Sequence, residues 1–148
     1  MGPTDHQRTF LNAIQAGDWN TVASYLSDDF QFSGPVPEPV GKEAWLGLMQ
    51  AYEVAFPDIK YNFELLGAEG NVTGASNQLT GTHTNDLDLT FMGMGVIPAT
   101  GKSFSQPRQE GEATWDGDKV VSVHIHATPE EGLMALLAQL GVEPPPSP

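Results

Sequence analysis

The spacing of apolar residues changes once along this chain, near Ile59, and that change constrains the fold class most. Before it, apolar residues recur every three or four positions, as one face of a helix requires. After it they alternate with polar residues, as in strands with one buried face. Phe10, Leu11 and Ile14 predict a helix over 5–17, stopped by Gly17. Asp18 is placed to cap a second helix that turns Trp19, Val22, Ala23, Tyr25 and Leu26 inward. Phe30 to Phe32 reads as a short strand, closed by a loop through Pro39. Trp45, Leu48, Met49 and Tyr52 then mark a third helix over 42–56, which Pro57 prevents from continuing.

Beyond Ile59, Tyr61, Phe63 and Leu65 alternate with Asn62 and Glu64. Glu69-Gly70-Asn71 turns the chain into a return strand over 72–85. Residues 87–100 form a strand end or a mobile apolar loop, rich in Phe91, Met92, Gly93 and Met94. Strands over 108–115 and 119–126 make a second hairpin about Asp116-Gly117-Asp118. Pro129 and Glu130 open a last helix through Leu140, stopped by Gly141. The order predicts one α+β domain over 1–142 with a flexible Pro-rich tail over 143–148. A curved antiparallel sheet wrapped around helices leaves an internal cavity, where small ligands bind.

Composition narrows the partners. At 148 residues, 39% hydrophobic, the chain is long enough to bury a core without staples. It has no cysteine, so disulfides, thiolate metal sites and cysteine nucleophiles are excluded. Its net charge of −13 repels nucleic-acid backbones and anionic membranes. The first residues lack the basic-then-apolar pattern of a secretory leader, and no apolar run is long enough for a membrane span. A cytoplasmic protein is expected.

Five short motifs stand in order on this pattern: Ala55-Phe56-Pro57-Asp58, Gly81-Thr82-His83-Thr84, Pro98-Ala99-Thr100-Gly101-Lys102, Gly117-Asp118-Lys119-Val120 and Leu137-Ala138-Gln139-Leu140-Gly141. Together they make the chain resemble the SnoaL-like polyketide (ester) cyclases of the nuclear-transport-factor-two-like superfamily, over about residues 8–143. The resemblance implies a cone-shaped fold, a small apolar organic substrate, a homodimer and no cofactor. It also implies acid–base chemistry: intramolecular aldol condensation of an apolar keto or polyketide-like compound, with an aspartate near the end of the last strand and a histidine on its neighbour. This sequence departs from that pattern. The last strand offers His124 and His126, and its neighbour offers Glu110 and Glu112. The two residue types are candidates for exchanged roles.

A histidine titrates near working pH, and a neighbouring carboxylate fixes its tautomer. The catalytic candidates are therefore His126 or His124 as base, Glu112 or Glu110 orienting it, and His83 as donor. His124 and His126 share one strand face, opposite Val121, Val123 and Ile125, and either face could line the cavity. Whether the glutamates meet the histidines depends on the hairpin: a two-residue loop separates them, and a three-residue loop with a bulge unites them. Trp45, Tyr52, Phe63, Phe91, Met92 and Met94 are candidate substrate contacts, with the two methionines suited to an adaptable lid. Arg108, one of two arginines, is a further candidate; with Glu110 it allows an epoxide-hydrolase-like alternative. Asp58 is expected to cap backbone groups. No metal site is expected. A non-catalytic binding protein on the same fold is the other alternative.

Overall fold

The computed structural model describes residues 3–34, 38–92, 95–127 and 133–141. Helices α1 (Pro3–Ala16) and α2 (Trp19–Tyr25) form the expected hairpin. Asp18 caps α2: its carboxylate accepts from the Thr21 amide at 3.3 Å and the Thr21 hydroxyl at 2.7 Å. Strand β1 (Leu26–Ser33) follows directly, longer than its apolar alternation indicated. The two-residue β2 (Val40–Gly41) leads into α3 (Lys42–Ala55), which ends ahead of Pro57 as its sequence requires. No described helix is long and apolar enough to cross a membrane.

The strand expected from Ile59 begins later, as β3 (Glu64–Glu69). Asn62, at φ 51°, interrupts the extended run, and Tyr61 and Phe63 stack with ring centroids 5.3 Å apart. The single return strand is two: β4 (Val72–Asn77) and β5 (Thr80–Thr82). The irregular apolar stretch forms a small ladder, β6 (Leu87–Asp88) with β7 (Val96–Ile97), spanned by a 3-10 turn at Thr90–Met92. A further strand that periodicity missed, β8 (Ser103–Ser105), pairs with β5. Then come β9 (Gln109–Asp116), β10 (Lys119–Ile125) and α4 (Leu133–Gln139). The tail over 143–148 and the start expected for the last helix, Pro129-Glu130, lie outside the described residues.

The main sheet has the order β2-β1-β10-β9-β4-β3. Its neighbours are antiparallel except β1 and β10, which run parallel. These two are far apart in the chain, so no tight hairpin dictates their direction. The curved sheet packs against α1 and α3 around an aromatic centre: Phe10 stacks on Trp45 at 6.2 Å and meets Trp115 edge-on at 6.2 Å.

One irregularity decides which side chains face that centre. The β9–β10 turn is tight, with Asp116 opposite Lys119. Val120 then pairs with Trp115, but Ser122 pairs with Thr114, so Val121 is a bulged residue outside the ladder. Val120, Val123 and Ile125 pack inward, with Ala113 and Trp115 beside them on β9. The expectation that Val121, Val123 and Ile125 form one face is thus corrected, because the bulge moves Val121 out of phase. The outer face of β9 and β10 carries Glu110, Glu112, His124 and His126.

Candidate functional site

Between α1, α3 and the inner sheet face lies a cavity of about 130 Å³. Helix α1 supplies Gln7, Phe10, Leu11 and Ile14, which recur at helical spacing. Helix α3 supplies Trp45, Leu48, Met49 and Tyr52 by the same logic. Tyr61 and Phe63 line the segment before β3, and Gly111, Ala113, Val123 and Ile125 form the sheet wall. Gly111 leaves no room for a side chain: a Cβ there would stand 2.6 Å from the His124 carbonyl and 2.7 Å from Ile125 Cδ1. Ser76, Asn77, Gln106, Gln109 and Glu112 add polar residues to the lining.

Two of the lining groups are phenols with chemical potential. Tyr52 and Tyr61 are buried, and the Tyr61 hydroxyl has no hydrogen-bond partner among the described residues. Burial pushes both pKa values far above the ordinary tyrosine range, and for Tyr61 the nearby Tyr52 and Glu53 add to it. Both phenols therefore stay protonated and act as donors. Trp45 Nε1, a donor, and Gln7 Oε1, an acceptor, are likewise buried without a partner. An apolar chamber with unpaired donors on its lining residues suits a ligand that brings its own acceptors.

The structure brings together part of the expected constellation, on the other side of the sheet. His126 Nε2 lies 2.6 Å from Glu112 Oε2, both groups about half exposed. His124 Nδ1 lies 2.9 Å from the Ser33 hydroxyl, and the two histidine rings are 5.6 Å apart. Glu110 is exposed on the same outer face. Glu112 is itself among the residues that line the cavity, and its carboxylate meets His126, which does not line it.

His83 lies elsewhere again, fully buried against Phe56, with ring centroids 5.5 Å apart, and it does not line the cavity. Its Nδ1 accepts from the Thr100 amide at 3.3 Å and lies 3.1 Å from the Thr100 hydroxyl. Burial lowers its pKa; the Asp86 carboxylate and the Ile97 backbone oppose this in part. This is a neutral histidine pinning the loop that leads to β8. Asp58 accepts from the Thr82 amide and hydroxyl, each at 2.8 Å, and these bonds lower its pKa. It caps backbone, as expected.

Of the expected substrate contacts, Trp45, Tyr52 and Phe63 line the cavity. Phe91 does not: it is 47% exposed and lies over Gly47 on α3. The Met92 side chain and Met94 lie outside the described residues. Arg108 is engaged structurally, donating to the Asn62 carbonyl at 3.0 Å and the Ser76 hydroxyl at 2.8 Å, with Glu64 at 3.7 Å. It and Glu110 do not converge on the cavity. Sequence reasoning missed Tyr61 and Gln7. Tyr61 was legible as Phe63's partner two residues earlier, whereas Gln7 needed the helix phase. Among the described residues no group of three or more histidine, aspartate or glutamate side chains is arranged to hold a metal ion.

Solved structures share this fold. IdmH of Streptomyces antibioticus, titled a candidate polyketide cyclase, is 23% identical, with a TM-score of 0.69 over 96% of this chain and 100% of its own. AclR of Streptomyces galilaeus, titled a candidate hydroxylase, is 22% identical, with a TM-score of 0.69 over 94% of this chain and 95% of its own. An epoxide hydrolase of the LEH-like type from M. tuberculosis is 15% identical, with a TM-score of 0.61 over 94% of this chain and 92% of its own. None of the curated proteins compared matches the chain in sequence. The family model for SnoaL-like polyketide cyclases matches residues 4–140, nearly the whole chain, and this protein belongs to that family.

Proposed function

We propose that this protein is a cofactor-independent cyclase that folds an apolar, polyketide-like keto compound inside the cavity and closes a ring within it. The observation that carries the reading is the buried, unpartnered hydroxyl of Tyr61, with the protonated Tyr52 phenol on the same lining, among aromatic walls. A 1,3-dicarbonyl compound is already partly an enol, so its reaction needs orientation and a donor more than a strong base. The enol carbon bonds to the acceptor carbonyl carbon. One phenol gives its proton to the new alkoxide, and the enol O–H restores that proton through the second phenol. Protons balance without a metal or organic cofactor in any step. Orientation alone supports effective molarities of about 10⁵–10⁸ M when the reacting atoms are held close. Donors fixed in a dry site stabilise the developing oxyanion.

A second reading, a non-catalytic binding protein, is favoured by one fact: His83, Glu110, His124 and His126 do not line the cavity. One experiment separates the two. An aromatic ketone carrying a 1,3-diketone side chain is incubated with the protein, and ring closure is followed by mass spectrometry. Acceleration over buffer that falls at least tenfold in Tyr61→Phe supports the cyclase. Tight binding with no acceleration supports the binder.

A further inference from the structure

The chain has two arginines, and the one that the sequence singled out is occupied. Arg108 is held by Asn62, Ser76 and Glu64. The side chain of the other, Arg8, has no ion pair or hydrogen bond among the described residues. It lies on the exposed flank of α1 with Asn12, one turn later on the same side. These two side chains line an open depression of about 230 Å³ whose remaining walls are Leu11, Phe63 and Leu65. Leu11 and Phe63 also line the cavity. A polar, cationic depression and an apolar chamber thus share two walls.

We infer that Arg8 and Asn12 form a carboxylate subsite at the edge of the cavity, so that the ligand is an apolar keto acid rather than a neutral ketone or ester. This rests on the proposed function for the apolar end of the ligand and adds the chemistry of the other end. A guanidinium presents a planar fork of donors that matches a carboxylate, and a neighbouring amide supplies a further N–H. The rest of the molecule supplies the contrast: a protein of net charge −13 repels anions in general. Preference for an acid over its ester must therefore arise locally, and an unpaired arginine beside the chamber is such a local source. The aromatic body enters past Phe63 while the carboxylate stays in the wet depression, so the acid is not desolvated at full cost.

The test compares 2-naphthoate with methyl 2-naphthoate by calorimetry at pH 7 and low salt. In the wild type the acid binds at least tenfold tighter than the ester. Arg8→Gln reduces that ratio about tenfold, Arg8→Lys keeps part of it, and 0.5 M NaCl weakens the acid more than the ester. Because Arg8 is exposed, these variants fold; unfolding curves matching the wild type confirm it. Equal binding of acid and ester, or a ratio unchanged in Arg8→Gln, overturns the subsite and leaves the cavity reading intact. Failure of both probes to bind removes the cavity reading, and the subsite with it.

Discussion

His126 and Glu112 meet at 2.6 Å on the face of the sheet that points away from the cavity. A histidine held by a carboxylate has the makings of a general base, but here it has no line to a ligand enclosed between α1, α3 and the sheet. His124→Gln and His126→Gln are expected to leave the affinity for methyl 2-naphthoate within about twofold and ring closure within about threefold. A general base contributes about 10²–10⁴ to a rate. A loss in that range from either variant, measured by single-turnover kinetics, would return the chemistry to the outer face.

Tyr61→Phe should move stability and function in opposite directions. The hydroxyl is buried without a partner, so removing it relieves a desolvation cost of about 1 kcal/mol. The melting temperature should rise by about 2–4 °C in a domain this size. Ring closure should fall by at least tenfold. A melting temperature that drops instead would mean that the hydroxyl has a partner in solution.

Gly111→Val tests the sheet wall. Its first carbon alone would meet the His124 carbonyl at 2.6 Å, a backbone atom that cannot swing away. Destabilisation of about 1–3 kcal/mol is expected from overpacking, with loss of naphthoate binding. Chemical denaturation and calorimetry on the same sample check both.

His83 sets an acid limit on stability. Its folded pKa lies below its unfolded value of about 6.5, so the unfolded chain binds more protons as pH falls. Its contribution is complete above about pH 6.5 and is lost as pH falls through the folded pKa. Denaturation midpoints from pH 7.5 to 4.5 should drop in the wild type and drop less in His83→Gln. Identical pH slopes in the two proteins would remove His83 from the account.

The helices were legible because their apolar spacing, Asp18 and Pro57 act locally. The broken strands were not, since Asn62 adopts a left-handed conformation that alternation does not register. Trp45, Tyr52 and Phe63 could be read as cavity residues from their periodicity. The faces of His124 and Glu112 could not, because they depend on how many residues of each strand enter the ladder. Arg8 and Arg108 look equivalent in a sequence; what separates them is the Ser76 hydroxyl and Asn62 carbonyl that only tertiary pairing brings to Arg108.

The residue left out at Val121 acts on the sheet as a frameshift acts on a reading frame. Drawn into the ladder, it would slide every later pairing by one, setting His124 against Gly111 in place of Glu112. Both histidines would then look into the chamber, and Val123 and Ile125 would look out. The inner and outer surfaces of this strand are thus two readings of the same seven letters, selected by a single unpaired one. For a lineage on this scaffold, straightening that kink is a shorter route to an imidazole inside the cavity than rebuilding its walls.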